Sequence, residues 1–154
     1  MPLESIDLPF NDAVKAELAR VPDGSPRAGE LWGAGADGQV QAIVLVTAEL
    51  NGFYLAIPVV PATGWATEQE LVMPESILGM EATIVLAAES GLHESLLTRR
   101  FTTAATAAEI VDVRAAAHDP DRQTVFPRGS GEDDEDAVEW RRITVARFRD
   151  LAFS

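Results

Sequence analysis

The segment QAIVLVTAELNGFYLAIPVVPATG, residues 41 to 64, limits what this chain can fold into more than any other. Two apolar, largely β-branched runs, Val40 to Thr47 and Phe53 to Val60, flank Asn51-Gly52. Both turn residues accept the positive φ that a type I′ turn demands, so the pair predicts a tight hairpin whose register is set at the turn. The runs are continuous instead of alternating, which is the pattern of strands covered on both faces. Pro58 has no N–H to give a ladder and argues for an edge or a bulge near the end of the second strand.

Around this hairpin the elements are shorter. NDAVKAELARVPDG places Val14, Leu18 and Val21 at helical spacing behind Asn11 or Asp12 and stops at Pro22-Asp23-Gly24, predicting a short helix. ELWGA reads as a first strand with Leu31 and Ala34 turned inward. The following GAGADG lacks both the Gly-Lys-Ser/Thr ending of a phosphate loop and the dinucleotide spacing, and reads as a turn. ELVMP and MEATIVLAAE are further strands, separated by a turn at Gly79, and LHESLLTRRF is a helical turn running into a strand. Thr106 with Glu109 three residues on predicts a capping box at the head of a helix over 107–117. HDPDRQTVFPRGSGEDDED has the composition of an exposed acidic linker. In the last segment Trp140, Thr144, Phe148 and Leu151 form one helical face, with acids at the start and arginines toward the end, as the helix dipole favours.

At 154 residues one domain is expected, large enough to bury roughly 70 % of its unfolded surface without staples. The absence of cysteine removes disulfides, thiol nucleophiles and sulfur-ligated metals. No apolar run approaches a membrane span and the start lacks a signal-peptide pattern, so no membrane association and a cytoplasmic location are expected. The net charge of −13 is uneven: residues 1–98 carry three basic side chains against fourteen acidic ones, whereas 99–154 carry nine against eleven. Nucleic-acid affinity rests largely on Lys and Arg at phosphates, so a basic patch could come only from Arg99-Arg100 or from the arginines of the last helix.

Several short strands, a central hairpin and a late capped helix predict a mainly β, α+β fold: a small, bent β-barrel with helices packed outside. The order of the pieces over residues 27–115 resembles the MazF/PemK family. RAGELWGA is similar to the family's opening strand, VQAIVLV to its second strand, IPVVPATG to its Pro-x-Thr-Ser strand end, and LLTRRFTTAATAAEIVDV to its closing Arg-Arg segment with a capped helix. The resemblance implies an SH3-like barrel, a possible homodimer, and a place among toxin-antitoxin proteins whose members are mostly endoribonucleases neutralised by a protein partner. The expected organisation is an N-terminal helix and linker over 1–26, the barrel over 27–117, an acidic linker over 118–136, and a C-terminal helix over 137–154.

The resemblance also implies a site. Cleavage by a 2′-hydroxyl needs a base and a cationic donor beside phosphate. Thr63 stands at the family's functional Thr, and Gln41 stands where the family has Arg, so a donor remains but the charge is gone. His93, near Glu89, is the candidate base near neutral pH. Arg99 and Arg100 are candidate phosphate contacts. On the last helix Trp140, Phe148, Arg141 and Arg142 are the candidate residues for a protein partner. His118 with Asp119 and Asp121 reads as a solvated cluster; neither a metal nor a cofactor is expected. Three functions follow: a regulatory module that binds a protein and has lost ribonuclease activity; a metal-independent endoribonuclease toxin acting on RNA; or an accessory subunit of a larger bacterial or phage complex, attached through residues 118–154.

Overall fold

The computed structural model describes residues 24–153. The helix expected within residues 11–21 lies outside them. Seven strands follow in chain order: β1 Glu30–Ala34, β2 Ala42–Leu50, β3 Phe53–Val60, β4 Leu71–Met73, β5 Ala82–Ile84, β6 Ser90–His93 and β7 Leu97–Thr103. The helices are α1 Glu75–Leu78, α2 Ala107–Ala116 and α3 Glu135–Ala152. The strands form one antiparallel sheet in the order β4-β5-β3-β2-β1-β7, with β6 pairing β3 beside β5. The α+β class holds.

The hairpin forms as its sequence dictates. Asn51 and Gly52 have φ of 44° and 87°, and Leu50 pairs with Phe53 directly behind the turn. Pro58, however, is not on an edge. β3 is central, paired with β2 along its length and on its other side with β6 at Phe53–Ala56 and β5 at Val59–Val60. The Pro58 carbonyl accepts from Val85 N at 3.1 Å, and the N and C=O of one strand residue point the same way. The missing N–H therefore faces the gap between β6 and β5, where no ladder bond is lost. The bulge in the hairpin lies instead in β2, at Thr47, between Val46 and Ala48.

The sheet does not close into the expected barrel, because its terminal strands β4 and β7 do not pair. The outer side of the β4 region is already taken. Val72 N donates to Pro127 O at 2.7 Å, Leu71 bridges to Arg128, and Thr67 bridges to Gly131. The expected linker thus runs along this edge, with Phe126 buried in the core. Gly129 and Gly131 permit the approach: a Cβ at either would stand 2.5–2.6 Å from Ala66 backbone atoms.

Two side-chain clusters lie on opposite faces of the sheet, alternating along each strand as the pleat requires. Leu31, Ile43, Leu45, Ile57 and Val59 face the first, which is covered by Ile110, Val113 and Ala116 of α2, by Leu78 and by Phe126. Trp32, Val44, Val46, Tyr54 and Ala56 face the second, which receives Phe148, with Trp140, Val145 and Leu151 packed beside it. Burial on both faces explains why β2 and β3 read as continuous apolar runs. The capping box of α2 forms, with Glu109 N donating to Thr106 Oγ1 at 3.1 Å and Thr106 N to Glu109 Oε1 at 2.8 Å.

The strand expected over residues 80–89 is shorter. β5 ends at Ile84 and Leu86–Ala88 is a 3-10 turn, with Ala88 N bonded to Val85 O, which swings the chain into β6. Its alternation persists past Ile84 because Val85, Leu86 and Ala88 stay buried without ladder pairing. α3 starts two residues before its expected position, since Asp134 Oδ1 accepts from Ala137 N at 2.9 Å and caps it.

α3 is pinned by charge as well as by packing. Glu70 is 0 % exposed, and its carboxylate accepts from Thr67 N and Thr67 Oγ1, both at 3.0 Å. Arg141 of α3 donates its Nε to Glu70 Oε2 and its Nη2 to Asp133 Oδ1 at 2.8 Å. A buried carboxylate demands such a cation, since an unpaired charge inside a protein costs several kcal/mol. The C-terminal segment is accordingly a part of the folded body.

Candidate functional site

The groove between α3 and the ends of β2 and β3 is the main candidate. Its volume is about 560 Å³ and its floor is apolar, with Pro58, Val60, Phe148 and Leu151. Gln41, Trp140, Thr144, Arg147 and Asp150 also line it. Two local facts produce it. β2 and β3 stop one residue beyond their last pair at Ile43–Val59, where Pro58 and Pro61 border the opening, and α3 presents Trp140, Thr144, Phe148 and Leu151 on one face at helical spacing. Thr144 turns its hydroxyl back to Trp140 O at 2.8 Å and so leaves the middle of that face without an apolar filler.

Gln41 lines the groove but is partly committed. Its Oε1 accepts from Ala36 N at 3.2 Å and its own N–H donates to Ala34 O, closing the turn after β1. Thr63 follows β3 at the same end of the sheet, where its carbonyl accepts from Ala66 N. His93 is elsewhere. Pairing sets it opposite Phe53, whereas Gln41 lies just beyond the Ile43–Val59 pair, so the two are separated by roughly 20 Å of strand. The His93 ring caps the following 3-10 turn through Nδ1, which accepts from Ser95 N at 3.2 Å, and it meets Phe53 edge-on at 5.4 Å. Its neighbour in sequence reasoning, Glu89, is held by Arg114 at 3.0 Å and Thr47 Oγ1 at 2.9 Å. The three expected catalytic residues are therefore not brought together.

Arg99 is exposed opposite Gly33. Arg100 lies on the other face, with Nε 3.0 Å from Glu30 Oε2 and Nη2 donating to Thr103 Oγ1. Glu30 also accepts from Trp32 Nε1 at 3.1 Å and Arg27 N at 2.8 Å, so Arg100 supports the start of β1. Adjacent strand residues point to opposite faces, so Arg99 and Arg100 make no single phosphate patch.

On α3 the expected partner-binding set divides. Phe148 is buried against the second cluster and Arg141 is held by Glu70 and Asp133, so neither is presented to a partner; each satisfies an internal demand. Hydrogen bonding to Glu70, opposed in part by burial, raises the Arg141 pKa further above its ordinary range. Trp140 is half-buried on the groove, and Arg142 is exposed in a pair with Glu139 at 2.6 Å. The residue that sequence reasoning passed over is Arg147. It flanks the expected apolar face beside Phe148, and helical spacing from Trp140 and Thr144 could have placed it in the groove.

The opposite end of the hairpin exposes apolar surface. Leu50 and Phe53 pair across the turn and are 53 % and 49 % exposed. Glu49 and Glu94, both exposed, raise the phenol pKa of neighbouring Tyr54, adding to the larger effect of its burial. Among the described residues no group of three His, Cys, Asp or Glu is placed to hold a metal ion, and no helix is long and apolar enough to cross a membrane. No family model matches the chain, and no curated protein matches it in sequence.

Proposed function

We propose that this protein acts by binding another protein, as a regulatory module, and does not cleave RNA. One observation carries the reading: His93 and the Gln41–Thr63 end lie at opposite ends of β3, so base and phosphate-binding donor do not share a site. General acid–base chemistry needs those groups within hydrogen-bond reach of one substrate. The charge distribution favours the same reading. A body with a net charge of −13 steers basic partners in and polyphosphate chains away. The paired, exposed Leu50 and Phe53, with Glu49 and Glu94 close by, suit a partner that brings an apolar side chain framed by basic residues. The MazF/PemK resemblance would make this a toxin-antitoxin-related module.

A ribonuclease reading has one observation in its favour, since Arg147 shares a groove with Gln41 and could supply the guanidinium that Gln41 lacks. The two readings separate on expression in a bacterium with no accompanying gene. Normal growth and intact single-stranded RNA after incubation with purified protein are expected. Growth arrest together with RNA cleavage that is lost in Arg147→Gln would establish the nuclease instead.

A further inference from the structure

The donor inventory of the groove beneath α3 points to a ligand class unrelated to RNA or protein. Gln41 Oε1 faces the Ala36 N–H, and only the oxygen of an amide can accept from an N–H, so both hydrogens of Nε2 are left over. Arg147 makes no hydrogen bond or ion pair with any described residue, unlike Arg141 and Arg142 on the same helix. The Trp140 indole N–H, a donor only, also has no acceptor among the described residues. Thr144 has spent its proton on Trp140 O, and Asp150 already has an interaction of its own. The wall of the groove thus holds donors and one unpaired cation, with the already engaged Asp150 carboxylate beside them, above an apolar floor of Pro58, Val60, Phe148 and Leu151.

We propose that this groove is a binding site for a small anionic amphiphile: one carboxylate head taken by Arg147 and Gln41, and one aliphatic body laid against Val60, Leu151 and Trp140. The volume of about 560 Å³ falls in the range of small-molecule sites, and an apolar lining with a few polar groups is their usual composition. A polyanion is disfavoured, because the site offers a single unpaired guanidinium on an acidic body. The inference is independent of the protein-binding reading, whose surface is the far end of the hairpin.

Decanoate below its micelle concentration is the probe, titrated calorimetrically into the full chain. Saturable binding at one molecule per chain is expected, weakened roughly ten- to a hundredfold by Arg147→Gln, the usual range for a lost charged hydrogen bond. Decanol should bind more weakly than decanoate. Arg149→Gln, on the same helix but outside the lining, should bind like the parent, and Thr144→Trp should block binding by filling the groove. Binding should also change tryptophan emission, because Trp140 lines the groove. No saturable binding, several molecules per chain, or equal affinity in Arg147→Gln would overturn the proposal.

Discussion

The two faces of the sheet are built from the same strands yet closed in different ways. On the first, α2 and Phe126 seal a cluster that includes Phe101, Leu71, Met73 and Ile84, all essentially without exposure. On the second, α3 seals the middle with Phe148 but leaves a groove toward the ends of β2 and β3, and depends on a buried ion pair at Arg141. The first face is closed by apolar fit, the second by one anchor and one charge pair. A sheet can therefore put its stability on one side and keep binding surface on the other, because close packing and an open groove are incompatible at one place.

Truncation on each side tests that difference, and the largest effect is expected from the first. Phe101→Ala should destabilise by about 4 kcal/mol, and Phe148→Ala by about 3 kcal/mol, because the side chain bordering the groove leaves a cavity that its surroundings can partly relax into. Chemical denaturation of both variants measures the pair; equal losses would mean that the second face is packed as tightly as the first.

Next comes the ion pair. Arg141→Met strands the Glu70 carboxylate and should cost about 3 kcal/mol, whereas Arg141→Met with Glu70→Gln should recover part of that loss. If the double variant is no better than the single, the anchor is packing around the Arg141 stem and not charge.

The smallest effect concerns Tyr54, on the second face. Burial and the nearby Glu49 and Glu94 raise its pKa in the folded state. Above the ordinary tyrosine value the unfolded chain then loses a proton that the folded chain keeps, so Tyr54 favours folding below that pH and its contribution is lost as pH rises. Stability of the parent should fall in alkaline solution more steeply than that of Tyr54→Phe, with the two slopes coinciding near neutrality.

How much of this was legible in the sequence follows from the range of each signal. The Asn51-Gly52 turn and the Thr106–Glu109 capping box are local chemistry, and both form at the expected residues. The continuous runs of β2 and β3 correctly announced two covered faces, but not which element covers each. Pro58 misled because an edge and an interior gap make the same demand, a missing N–H facing no partner. β6 was invisible: Ser-Gly-Leu-His has one apolar residue and pairs only because β3 is there to receive it. The Asp- and Gly-rich composition of 118–136 describes its solvent side and says nothing of the edge against which Gly129 and Gly131 pack. The candidate site suffered most. Arg141 and Arg147 are alike in sequence, and only their depths against the sheet separate an internal anchor from a groove cation.

The central claim is that α3 is the second layer of the sheet and not an appended device, and native-state hydrogen exchange tests it most directly. The account predicts that amides in the middle of α3, around Thr144 to Phe148, open with the same free energy as those of β2. If they exchange far more readily while β2 stays protected, α3 unfolds on its own and the claim is wrong.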